Sequence, residues 1–302
     1  MSYRKEQFLS YKRSDLIPKL NYLDEMANDE IDSLFREVLD NGIYGFCYSM
    51  YEDGQGPGTI VTEEQIRKRI KILKPYTNAI RSFSTTEGNE FVPKVAKEFK
   101  MKTLVGAWLS DDEEKNREEI DNLVKLANDG MVDIAAVGNE VLYRGDLTPE
   151  TLIDYIKEVR SKIPKDIPVG YVDAYYEFVQ RPEVSDVCDV ILCNCYPFWE
   201  GTSFEHSLQH MRQMYYQAKE AGNGKKVIIT ETGWPSKGTA LGGATPSVEN
   251  AKKYFINTCL WTQDEDIEVF YFSSFDESWK VDSEGDVGAY WGIWDKKGKL
   301  KY

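Results

Sequence analysis

Three observations predict a closed (β/α)8 barrel with a short N-terminal helical extension. From residue 41 onward, eight short β-branched runs alternate with helical patterns. Each run is mostly apolar rather than strictly alternating, as in strands buried on both faces of a parallel sheet. The chain's 302 residues exceed the soft prior of about 150 per domain, yet α/β barrels of this size fold as one domain. A core of that size needs no disulfide or metal staple.

Residues 1–40 stand apart. Leu20, Leu23 and Met26, then Ile31, Leu34 and Leu39, suggest one or two helices packed beside or beneath a barrel domain of residues 41–302. The expected strands are 43–50, 79–85, 102–109 and 132–141, then 167–175, 187–198, 226–234 and 268–277. Between them, 63–74 places Ile66, Ile70 and Leu73 at i, i+4 and i+7, an amphipathic helix. In 148–163, Thr148 reads as the N-cap and Pro149 as N1, with Leu152, Ile156 and Val159 as the buried stripe. Segments 89–99, 112–128, 203–221 and 247–262 are similar, whereas the helix after the fifth strand is reduced to about 176–184. The acidic run at 111–119 fits the positive end of its helix. A dinucleotide-binding sheet would carry GxGxxG opening a helix. GQGPG at Gly54–Gly58 opens none and reads as a surface loop.

Composition narrows the function. Lys and Arg total 37 against 51 Asp and Glu, a net charge of −14. This disfavours nucleic acid and anionic lipid, whose binding depends on basic side chains. A neutral partner is expected. Two histidines leave acid–base chemistry to carboxylates. His206 and His210, at i and i+4, read as a solvated helix face; no metal and no cofactor is expected. The five cysteines form no CxxC pair and read as buried free thiols, with Cys193 and Cys195 expected on opposite strand faces. No window is apolar enough to span a membrane. The first twenty residues lack a signal-peptide core. A chain with its leader already removed reads the same way, so both a cytoplasmic and a secreted location fit. Oligomeric state is not legible.

Active residues of such barrels sit at the C-terminal strand ends. Those ends carry Tyr48, Arg81, Trp108, Asn139-Glu140, Asp173, Asn194 to Tyr196, Glu231 and Asp276-Glu277. Glu140 and Glu231 directly follow apolar runs, and burying an unpaired charge is costly. Strands four and seven lie three apart around the ring, so the two carboxyl groups face each other across the mouth. Such a pair can cleave a glycosidic bond. Aromatic rings suit pyranose faces, and Asn, Asp and Tyr suit sugar hydroxyls.

VGNEV (137–141) and ITETGWPS (229–236) resemble the two signature segments of glycoside hydrolase family 17, the β-1,3-glucanase family of retaining (β/α)8 glycosidases. YGFCYSMY, IRSFS, NCYPFW, FDESWK and WGIWD extend the resemblance over roughly residues 41–300. It implies that Glu140 is the acid/base, Glu231 the nucleophile, and Asn139 the partner of the sugar 2-hydroxyl. By the same analogy, Arg81 pairs with Glu231, and Tyr196 donates to Glu231 or to a sugar. Glu277 and Lys280 contact sugar or each other. Tyr48, Asp173 and Asn194 are expected to bind substrate. Trp199 and Trp279 are read as stacking platforms, Trp291 and Trp294 as structural. YEDGQGPGTI is longer than the family's usual first loop, so a neighbouring subsite is expected to differ. The expected activity is retaining hydrolysis of a β-1,3-glucan such as laminarin, with a neutral oligo- or polysaccharide as partner. The alternatives are a β-glucanosyltransferase and a non-catalytic glucan-binding barrel. A lyase or aldolase is disfavoured, because no phosphate loop or Schiff-base lysine ends a strand.

Overall fold

A computed structural model describes residues 21–23 and 26–302. Leu20, and with it the start of the expected N-terminal helices, lies outside the described residues. In chain order the elements are α1 (Asn28–Asn41), β1 (Ile43–Cys47), α2 (Glu63–Leu73), β2 (Thr77–Ser82), α3 (Phe91–Glu98), β3 (Lys102–Ala107) and α4 (Glu113–Asn128). Next come β4 (Ile134–Asn139), α5 (Val141–Arg144), α6 (Pro149–Lys162), β5 (Val169–Ala174), α7 (Tyr175–Gln180), α8 (Pro182–Val187) and β6 (Val190–Asn194). The last are α9 (Phe204–Ala221), β7 (Lys226–Thr232), α10 (Val248–Asp264), β8 (Val269–Tyr271) and α11 (Val281–Glu284).

The eight strands pair in sequence order, all parallel, and β8 closes on β1. All eight C-terminal strand ends therefore open on one face. Every strand lies inside or within two residues of its expected segment. The expected segments run past those C-terminal ends, because apolar residues continue into the mouth: Tyr196, Phe198 and Phe272 pack there rather than in a ladder. Helix starts follow their caps. Thr62, Asp112, Thr148 and Ser247 each accept a hydrogen bond from the backbone three residues on. The weak helix after β5 is two short helices, divided before Pro182, whose ring restricts the residue preceding it.

On the β8 side of the barrel the chain continues only in short helices. Helix α1 supplies cover there, packing Phe35 on Phe255 of α10 at 5.3 Å and on the C-terminal Tyr302 at 5.2 Å. Leu23 is buried, and the backbone of Tyr22 donates to Asn257 of α10. None of the described helices is long and apolar enough to cross a membrane.

All five cysteines are buried free thiols. Cys193 and Cys195 do not take opposite faces: their sulfurs lie 3.8 Å apart. Residues two apart on a strand share a face, which corrects the expectation. His210 is also not solvated. It is fully buried on α9, with its Nε2 2.5 Å from the carboxylate of Glu200.

Candidate active site

Glu140 follows the last residue of β4, after a break in regular pairing. The register shifts between Ala136 and Asn139, Gly138 has φ +87°, and Glu140 itself has φ +52°. A non-glycine side chain in the left-handed region costs about 1–3 kcal/mol, and such strain gathers at functional sites. The distortion is held by Glu140 N–H donating to Val172 O at 2.8 Å. Glu231 sits in β7, almost fully buried.

One amide joins the two. Asn194 Nδ2 donates to Glu140 Oε1 at 2.8 Å and to Glu231 Oε1 at 3.2 Å. Its carbonyl oxygen accepts from Thr230 Oγ1 at 2.8 Å, which fixes the amide's orientation. A shared donor limits those two carboxylate oxygens to a separation of about 6 Å or less, compatible with the about 5–5.5 Å carboxyl spacing of retaining glycosidases.

The two carboxyl groups have different neighbours. Glu231 Oε1 receives Arg81 Nη1 at 2.6 Å and its Oε2 receives the Tyr196 hydroxyl at 2.8 Å. Burial and the charge of Glu231 push the Tyr196 phenol well up, keeping it a donor. The second Arg81 amino group donates to Asn139 Oδ1 at 2.6 Å, leaving the Asn139 amide nitrogen as the group able to donate to a ligand. Glu140 takes the Asn194 amide instead. Burial first, then the charges of Glu231 and Asp173, push its carboxyl up to about 8.

At the β8 side, Glu277 and Lys280 contact each other, with Nζ 2.6 Å from Oε2. Burial pulls the Lys280 ammonium down, but the charges of Glu277, Glu284 and Glu231 outweigh it. The same ammonium lies 4.2 Å from the centre of the Phe272 ring. An aromatic wall follows, in which Trp291 meets Tyr196 at 5.7 Å, Phe272 at 5.7 Å and Trp199 at 5.5 Å. Trp199 and Trp279 are half-buried at the rim, whereas Trp291 and Trp294 are buried. The glycine-rich first loop leans on the eighth: a side chain at Gly56 would meet Trp279 Cβ at 3.0 Å, and Tyr51 packs on the same ring.

The structure therefore brings Glu140, Glu231, Arg81, Asn139, Asn194, Tyr196, Glu277 and Lys280 to the mouth, with the two half-buried tryptophans beside them. It does not bring Tyr48 or Asp173 to the cleft. Cys47 points into the barrel, toward Thr230 and Arg81, so Tyr48 points outward, where its hydroxyl donates to Ile66 O of α2. Asp173 is fully buried beneath the turn after Glu140. Its carboxylate already accepts from the Tyr171 hydroxyl, Tyr143 N–H and Ala174 N–H. Burial raises its carboxyl to about 6. Asn194 lies in the cleft floor, but both ends of its amide are occupied by protein, so it positions the carboxylates.

Two groups were not legible in sequence. Glu284, from α11, lies near Lys280 and Glu231 with its carboxyl raised by burial to about 7; nothing in DSEGDVG signals that return to the mouth. Arg144 of α5 donates to the carbonyls of Asn139 and Leu109, tying the fourth strand end to the third. Among the described residues, no three His, Cys, Asp or Glu side chains are grouped to hold a metal ion.

The profile of the BtgE/BtgC glycoside hydrolase domain matches residues 45–292. A glucan 1,3-beta-glucosidase of Schizosaccharomyces pombe is 29% identical over 98% of both chains. One from Saccharomyces cerevisiae is 27% identical over 81% of this chain and 86% of its own. Among solved structures, the family 17 beta-1,3-glucanosyltransferase of Rhizomucor miehei superposes with a TM-score of 0.78 at 30% identity, covering 87% of this chain and 96% of that one. The barrel, the strand-end glutamates and these likenesses agree: the chain is a glycosidase and belongs to glycoside hydrolase family 17.

Proposed function

We propose that the enzyme cleaves β-1,3-glucan with retention of anomeric configuration, using Glu231 as nucleophile and Glu140 as acid/base. The observation that carries this reading is the single amide nitrogen bonded to both carboxylates, whose spacing suits a direct attack. The substrate class comes from the relatives, which are named for 1,3-β-glucan and include a structure holding laminaritriose.

In the first step Glu140 gives its proton to the glycosidic oxygen as that bond breaks. A Glu231 oxygen bonds to the anomeric carbon and forms a glucosyl ester. Arg81 and Tyr196 hold the attacking carboxylate in place, and the Asn139 amide reaches the 2-hydroxyl. In the second step Glu140, now a carboxylate, takes a proton from the incoming acceptor. That oxygen displaces Glu231, and the product keeps the β configuration.

Water as acceptor gives hydrolysis, and another sugar gives transfer. The aromatic wall around Trp199 and the likeness to a glucanosyltransferase favour transfer as the second reading. Incubation with laminari-oligosaccharides, with products resolved by size and the first-formed anomer read by NMR, separates them. Shorter β-anomers support hydrolysis and longer chains support transfer. An α-anomer as first product overturns the double displacement, and absence of any product overturns catalysis.

A further inference from the structure

Trp108 is the most exposed tryptophan of the chain and takes no part in the mechanism above. It follows the last residue of β3 directly, at the mouth, and is 40% exposed. A large ring left in water at that position forfeits the stabilisation of burial, yet Glu119 anchors its backbone and Arg144 packs on the ring. Its backbone N–H donates to Glu119 Oε2 at 3.1 Å. Glu119 is itself buried and gathers the loop after β2, accepting from Ser84, Thr85 and Thr86. The Arg144 guanidinium lies over the indole, 4.7 Å from its centre. Arg144 is fixed in turn by Asp146 at 2.6 Å and by the carbonyls of Leu109 and Asn139.

The register sets Trp108 beside the strand end that carries Glu140. Ala107 pairs with Val137, so Trp108 starts about 4.8 Å, one strand spacing, from the Gly138–Glu140 segment. The aromatic wall stands on β6 and β8, across the catalytic pair from β3. Trp108 and that wall thus stand on opposite sides of the catalytic pair.

We infer that Trp108, braced by Arg144 and Glu119, is the stacking platform of an outer subsite that binds a pyranose ring of the glucan beyond the residues being cleaved. The inference rests on the glucan reading above. The ring offers a flat apolar face to the C–H face of the sugar, and its bracing means little side-chain freedom is lost on binding. Arg144 links platform and acid/base through the Asn139 carbonyl.

The test is the ratio of kcat/KM on laminarihexaose to that on laminaritriose, measured in wild type, W108A and W108F. The ratio is expected to fall about tenfold in W108A, equivalent to about 1.4 kcal/mol, and to be largely kept in W108F, which retains a ring. An unchanged ratio in W108A overturns the platform while leaving the glucan reading intact. A wild type inert on every laminari-oligosaccharide overturns both. If W108A does not fold, W108L decides by the same ratio. Calorimetry on the E231Q background gives a check without turnover: W108A added to it weakens hexaose binding more than triose binding, and equal weakening of both contradicts the platform.

Discussion

The β4 end and the β7 end of the barrel each present a glutamate to the same cleft, and their surroundings are opposite. At β7, Glu231 meets a guanidinium at 2.6 Å and a phenol at 2.8 Å. At β4, Glu140 receives one amide, faces two other carboxyl groups, and sits on a backbone with φ +52°. Identical side chains facing one cleft and sharing one amide donor are thereby given opposite electrostatic surroundings. What separates an acid from a nucleophile is the neighbouring charge and the burial, not the residue type.

The sharpest way to break this comparison is to remove the β7 carboxylate. E231A deletes the attacking group and is expected to lower kcat on laminari-oligosaccharides by at least about 10⁴-fold; activity within about tenfold of wild type, about 1.4 kcal/mol in barrier, excludes Glu231 as nucleophile. E140A comes next, with a loss of about 10²–10⁴-fold, the usual worth of a positioned acid. The loss is expected to shrink on aryl β-glucosides, whose leaving group needs no proton. Because Glu140 must carry its proton to act, wild-type kcat/KM holds below about 8 and falls as pH rises through it. That basic limb disappears in E140A, and its persistence there assigns the limb to another group.

Smaller changes sharpen the contrast. Y196F removes a donor to Glu231 Oε2, and kcat is expected to fall about 10- to 100-fold, since a hydrogen bond to a charged group is worth about 1.5–3 kcal/mol. D173N is the mildest. The charge of Asp173 helps to raise the Glu140 carboxyl, so its removal moves the basic limb to lower pH. A pH profile superimposable on wild type rules out that coupling.

Most of the fold was legible because a closed parallel barrel makes each strand apolar on both faces and joins it to an amphipathic helix. Glu140 and Glu231 were legible for a related reason: carboxylates directly after apolar runs conflict with their setting unless they do chemistry. Direction and return were harder to read. A strand end locates a residue at the mouth but not its facing, which is why Tyr48 turned out to point at α2 and Asp173 to lie under the turn after Glu140. Glu284 and Arg144 come from a loop helix and a four-residue helix, and no local periodicity carries them back to the cleft. The acidic run at 111–119 looked like helix-terminus charge. Its first residues are that, with Asp112 as the N-cap, but Glu119 is a buried acceptor that organises the rim. The burial of His210 rests on its partner, Glu200, ten residues earlier, which i, i+4 spacing within the helix does not reveal.

The most direct test of the assignment is to trap the intermediate. A 2-deoxy-2-fluoro-β-glucosyl donor with a good leaving group slows breakdown of the glucosyl ester, and peptide mapping by mass spectrometry then locates the label. The account predicts one fluoroglucosyl group per chain, on Glu231 within the 227–236 segment. A label on Glu140 contradicts it.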